Sequence, residues 1–60
     1  MPKPTHFVIE YDSDGEIYDS AFAESMEAAV EAADSMRAEA MEDGFAARDV
    51  VIYELKEVEV

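Results

Sequence analysis

Residues 5–22 read THFVIEYDSDGEIYDSAF, and their pattern decides the fold. Between Thr5 and Asp12 the side chains alternate. Phe7, Ile9 and Tyr11 fall on one side; Val8, Glu10 and Asp12 fall on the other. That is the period of a half-buried strand. Asp14-Gly15 follows, a dipeptide suited to a two-residue type I′ hairpin turn, whose central residues both need positive φ. Centring the turn there sets Tyr11 opposite Tyr18, Ile9 opposite Ser20 and Phe7 opposite Phe22. All the aromatic residues of both strands then share one face, which is expected to be the core. The other face carries Glu10 opposite Asp19, a like-charge pair that is unfavourable on a sheet.

C-terminal to the hairpin, the period changes from two to 3.6. Ser25 is a helix N-cap, with Glu24 and Glu27 near the positive end of the dipole. Residues 26–43, MEAAVEAADSMRAEAMED, are rich in helix formers, and Gly44 is a natural stop. Met26, Ala29, Val30, Ala33, Met36, Arg37 and Ala40 recur at helical spacing, and this Met/Ala stripe is read as core packing. Glu42 and Asp43 sit at the negative end of the dipole, where carboxylates are locally unfavourable. Residues 47–60, ARDVVIYELKEVEV, open as a strand at Val50, Val51, Ile52 and Tyr53. The apolar phase blurs between Leu55 and Val58/Val60. The tail is expected to extend as an edge strand, with Glu54, Lys56, Glu57 and Glu59 guarding it against aggregation.

The element order is ββαβ. A right-handed crossover carries the chain over the sheet and lays the third strand beside the first, antiparallel to it. The expected architecture is α+β: a three-stranded antiparallel sheet in order 2-1-3, with one helix packed on one face. The opposite face is expected to be open to water and acidic. Residues 1–60 form a single small domain, without repeats or linker.

A 60-residue chain buries only about 60% of its unfolded surface, so its stability is marginal. Half of its residues are hydrophobic, which argues for a folded domain despite the charge. There is no cysteine, hence no disulfide, in keeping with a reducing compartment. No apolar run approaches the roughly 18 residues of a membrane span, and MPKPTHF lacks a leader's apolar stretch. A soluble, cytoplasmic protein is expected. Its charge is extreme: 16 Asp and Glu against four Lys and Arg, a net −12. Small soluble domains need a magnitude of only about 2–8. Such a field repels nucleic acid and anionic membranes and attracts basic protein surfaces.

The residues do not point to catalysis. Aligning Gly15 with the sixth position of an EF-hand loop puts Glu10, Asp12 and Asp14 at ligand positions, but the twelfth position falls on Ala21, where a bidentate Glu is needed. The flanking segments are also strands rather than helices. His6 is the lone histidine, and Ser13, Ser20, Ser25 and Ser35 lack a nucleophile-elbow setting. No phosphate-binding glycine loop occurs. A non-enzymatic protein without metal or cofactor is expected.

The acidic residues fall into two groups. Glu24, Glu27, Glu31, Asp34 and Glu42 form one stripe along the helix, opposite the Met/Ala side. Glu10, Asp12, Asp14, Glu16 and Asp19 form a patch on the hairpin. Together they are the candidate partner-binding residues. The helix acids recur at spacings of three, four, three and eight, with Ala38 in the gap; neighbours three or four apart stand about 5–6 Å apart along the axis, within a factor of two of the roughly 3.4 Å advance per phosphate on one DNA strand. A monomer is expected from the acid-rich edge. Salt-loving organisms also favour acidic, lysine-poor chains, and that reading needs no partner; it requires the protein to unfold in low salt.

Size, net charge and the runs EYDSDGE (10–16) and AESMEAAVEAADSM (23–36) resemble small acidic phage anti-CRISPR proteins and related DNA mimics. The resemblance spans the chain but contains no motif. It implies an inhibitor in the host cell cytoplasm that fills the basic DNA groove of a CRISPR effector, with carboxylates standing in for phosphates. DSDGEIY (12–18) followed by SMEAAVEAADSM (25–36) is also similar to HicB-type antitoxins, with Ser25, Glu27 and Ala28 or Ala29 carrying the match. The chain departs from that family in lacking a further Pro-Asp-Gly-rich strand between Ala23 and Ser25 and a DNA-binding C-terminal domain. That resemblance implies neutralisation of a small basic RNase toxin.

Overall fold

The computed structural model describes residues 3–44 and 49–58. Strands β1 (His6–Tyr11) and β2 (Ile17–Ala23) form the hairpin, α1 (Met26–Glu42) follows, and β3 (Asp49–Glu54) closes the sheet. The order is β2-β1-β3, and both pairings are antiparallel. The fold is therefore α+β with one open sheet and one helix, as the alternation and the change of period predict.

The hairpin reaches the expected register by a different route. Phe7 pairs with Phe22, Ile9 with Ser20 and Glu10 with Asp19, but Tyr11 pairs with Ile17. The turn is not type I′, because no residue other than glycine has positive φ and only Gly15 (φ 82°) supplies it here. Instead the Asp12 amide donates to the Glu16 carbonyl (2.8 Å) and the Gly15 amide to the Asp12 carbonyl (3.0 Å). Ser13–Gly15 thus form a three-residue loop ending on a left-handed glycine, the next commonest hairpin connection. The longer loop shifts the pairing by one residue. A bulge at Tyr18 shifts it back between Glu10 and Tyr11, restoring the ladder.

The helix covers the other side of the sheet from the one the aromatic residues mark. The buried set is Val8, Ala23, Ala29, Ala33 and Met36, with Ala21, Ala28, Ala32, Val50 and Ile52 packed against it. Val8 and Glu10, not Phe7, Ile9 and Tyr11, point toward α1. The open face is accordingly apolar and aromatic rather than acidic. The physical reason is size. The inward stripe of α1 is Ala29, Ala33, Met36 and Ala40, and a mostly alanine surface approaches a sheet closely only where the sheet is also small. Ala21 and Ala23 provide that on β2; Phe22 on the reverse side does not. Alternation alone could not choose, since β1 carries apolar residues on both faces.

The helix ends follow the sequence. Ser25 Oγ accepts from the Ala28 amide at 3.0 Å, and Gly44 (φ 78°) stops the helix after the Asp43 C-cap. Met26 and Val30, expected in the core stripe, are 56% and 43% exposed, and Arg37 is exposed as well. At about 100° per residue these three lie on a flank of the helix, just outside the buried alanine line. Regular β3 structure stops at Glu54, so residues 55–58 do not extend the edge strand. Leu55 donates one further bond to the Thr5 carbonyl (2.9 Å). Glu59 and Val60 of the expected tail lie outside the described residues.

Candidate functional site

The helix stripe survives folding. Glu27, Glu31, Asp34 and Glu42 are all exposed. Their helical angles centre about 180° from Ala29, Ala33, Met36 and Ala40, so they project away from the sheet. From Glu27 to Glu42 the stripe runs about 22 Å along the axis. Asp34 is distinct from its neighbours, because Arg37 one turn on approaches its Oδ1 at 3.3 Å and offsets part of its charge. Glu24 precedes the Ser25 cap and so stands at the helix entrance rather than on the helix. No basic residue lies in the last turn, so Glu39, Glu42 and Asp43 leave the negative pole of the dipole uncompensated there. Exposed Glu39, also on α1, was missed by the sequence reading because it lies between the stripe and the buried line.

The hairpin acids do not form one patch. Glu10 is 3% exposed; it sits beneath the helix, engaged rather than free, and cannot meet a partner surface. The alternation already placed it off the Phe7 face, and the swap of faces buried it. Asp12 is half-buried and structural: its Oδ1 accepts from the amides of Asp14 (2.9 Å) and Glu16 (3.0 Å). This is the local side-chain bond that stabilises Asp in turns. Asp14 and Glu16 are exposed at the hairpin tip, and Asp19 is exposed on the β2 edge. Asp19 Oδ1 accepts from the Ser20 amide at 2.8 Å.

The sheet face away from the helix is a second surface that the sequence reading missed. Register places Phe7, Phe22 and Tyr53 in one row, Ile9, Ser20 and Val51 in the next, and Tyr11, Ile17 and Asp49 in the third. The Phe7 and Phe22 rings lie 4.7 Å apart at 38°. Tyr11 and Tyr53 reach toward each other along the face, and their hydroxyls meet at 2.9 Å. That hydrogen bond, followed by burial, raises the Tyr11 phenol above its ordinary range. The signal that could have revealed this face was the alanine content of the helix stripe, which asks for a small-residue partner face.

His6 and Ser25 are locally committed. His6 Nδ1 lies 2.7 Å from Thr5 Oγ1, and Ser25 caps α1. Among the described residues, no three or more His, Asp or Glu side chains are grouped to hold a metal ion, and no helix is long and apolar enough to cross a membrane. No protein-family model matches the chain, and no curated protein or solved structure matches it.

Proposed function

We propose that this protein is a non-enzymatic inhibitor that uses the outer face of α1 to occupy the basic groove of a nucleic-acid-handling protein. The observation that carries the reading is the line of exposed carboxylates at Glu27, Glu31, Asp34 and Glu42 on the side of the helix remote from the sheet. A rigid helix holds Glu27, Glu31 and Asp34 about 4.5–6 Å apart along its axis, within a factor of two of DNA phosphates, with Glu42 about 12 Å further on. The net charge of −12 steers the domain toward cationic surfaces and away from nucleic acid itself. Asp14, Glu16 and Asp19 add charge at the hairpin end, and Glu24 adds it at the helix entrance. Glu10 is buried and the Asp12 carboxylate is engaged within the turn, so neither adds to this surface. The leading partner class is a CRISPR effector, and the resemblance to small acidic anti-CRISPR proteins supports that choice. The site of action is then the cytoplasm of the cell that makes the effector.

Competition with DNA tests the proposal. Labelled protein is titrated against a purified guide-loaded CRISPR effector, with and without target DNA, from 50 to 300 mM salt. Binding is expected to be displaced by DNA and to weaken steeply with salt, chiefly through the association rate. The triple variant Glu27→Gln, Glu31→Gln, Asp34→Asn is expected to lose at least tenfold in affinity while melting normally. Asp34→Asn alone should lose least, because Arg37 already offsets that charge. Unchanged binding by the triple variant removes the helix stripe from the contact. If the chain instead rescues cells expressing a small basic RNase and ignores the effector, the antitoxin reading replaces this one.

A further inference from the structure

We infer that the outer edge of β3 takes up an extended, positively charged segment of another protein as a fourth strand. Two contacts fix the backbone directions. The Leu55 amide donates to the Thr5 carbonyl at 2.9 Å, one step beyond the pair His6 and Glu54. In an antiparallel ladder, closely bonded pairs alternate with open ones. Tyr53, Val51 and Asp49 therefore turn their backbone groups toward β1, and Val50, Ile52 and Glu54 turn theirs outward, at one end of the sheet order. The same alternation, carried across β1, turns Ser20 outward on β2. There the amide is already occupied, since Asp19 Oδ1 accepts from it at 2.8 Å. Among the described residues, no side chain caps the outward amides of Val50, Ile52 or Glu54. The two edges thus differ: β2 is capped in its middle, and β3 presents a row of donors and acceptors.

That row selects the occupant. Paired backbone groups repeating every two residues, about 7 Å apart, are matched by another extended backbone, which a membrane or a nucleic acid does not offer. The side chains of β3 then set its chemistry. Asp49 and Glu54 are exposed at the two ends, and between them Val50, Val51 and Ile52 are half-buried and Tyr53 is 43% exposed. A strand laid antiparallel sets one residue opposite each of these, and opposite charges across such a pair are favourable where like charges are not. The fitting segment has six residues, with Arg or Lys at both ends and apolar or β-branched residues between. Its alternate side chains continue the rows of the open face beside Tyr53 and Val51. The net charge of −12 draws a cationic segment in and opposes a second copy, whose β3 brings the same two carboxylates. These residues are separate from the helix stripe, so the inference stands apart from the inhibitor reading.

The capped peptide Arg-Val-Thr-Val-Thr-Arg tests the inference, titrated to about 1 mM against nitrogen-labelled wild-type protein at 50 mM salt and read by NMR. Saturable binding is expected, with slowed hydrogen exchange at the Val50, Ile52 and Glu54 amides and none at Ser20 or Phe22. Methylating the two Thr nitrogens, which face β3 in this register, is expected to weaken binding at least tenfold. Replacing both Arg by Glu is expected to do the same. These comparisons alter the peptide alone, so they do not depend on a variant's folding. The double variant Asp49→Asn, Glu54→Gln, at two exposed positions, is expected to bind the Arg peptide no better than one ending in Ser. Absence of binding at 1 mM overturns the inference. So does protection confined to β2 or α1, or a methylated peptide that binds as well as the unmethylated one. Protection of the β3 amides that appears without peptide and grows with protein concentration gives the edge to a second copy instead.

Discussion

Gly15 has φ 82° and no neighbouring atom within 4 Å of where a β-carbon would sit, so its role is purely conformational. Gly15→Ala is therefore expected to cost about 1 kcal/mol through backbone strain alone, lowering Tm by about 4–8 °C in a thermal melt. The hydroxyl pair of Tyr11 and Tyr53 provides a second residue-level test. Their hydrogen bond favours the neutral phenol, which raises the Tyr11 pKa. A group raised in this way stabilises the fold fully below the ordinary tyrosine pKa, and that contribution is lost as pH climbs through the folded value. Ultraviolet titration at 295 nm should thus show a phenol ionising later than free tyrosine, and Tyr53→Phe should remove most of the delay, leaving the smaller part due to burial. Neither feature was legible at the outset. Asp14-Gly15 marks a hairpin, but whether the loop holds two or three residues depended on the Asp12 carboxylate, which is taken up by two amides, and on the bulge at Tyr18.

At the scale of the elements, the helix and sheet meet through small residues. Ala29 and Ala33 are 0% and 1% exposed, and an added side chain there has nowhere to go. Ala33→Leu is expected to destabilise by about 1–3 kcal/mol through overpacking, measured by urea denaturation. Were the aromatic face the one beneath α1, that side would need larger helix residues and the same substitution would be nearly neutral. The change from period two to period 3.6, the Ser25 cap and the Gly44 stop were all readable, because each depends on neighbours within a few positions. The inward set of helix residues was readable only in part: Ala29, Ala33, Met36 and Ala40 kept their place, whereas Met26 and Val30 moved to an exposed flank. A helix pattern fixes a stripe to within about one residue's 100° step, and the neighbouring sheet selects the line within it.

Across the whole molecule, the thin build and the charge act together. The Cα extents are 42 × 22 × 14 Å and the radius of gyration is 12.6 Å, against about 10 Å for a compact domain of this length. A small core opposes the self-repulsion of −12. Raising salt from 50 to 500 mM shortens the screening length from about 14 Å to about 4 Å, and Tm is expected to rise by at least about 4 °C, corresponding to roughly 1 kcal/mol. A cooperative transition should persist at 50 mM. If the chain is unfolded there, acidity serves salt adaptation instead of recognition. Of the candidate acidic residues, those on α1 were well placed from sequence, because one helix fixes their spacing. The hairpin group was not, because a carboxylate on a strand is exposed or buried according to which face the helix covers.

The elements, their order and the outward acidic line of the helix follow from local periodicity, capping and charge, and the antiparallel order 2-1-3 follows from the handedness of the crossover. Which side of the sheet lies under the helix is settled only by packing between distant segments. That choice buried Glu10, left Phe7, Phe22, Tyr11 and Tyr53 on the open side, and turned an expected acidic face into an apolar one. The reason is that both faces of β1 are apolar enough to be buried, so hydrophobicity does not separate them. The close fit of an alanine stripe against Ala21 and Ala23 does, and that contact exists only once distant segments are brought together.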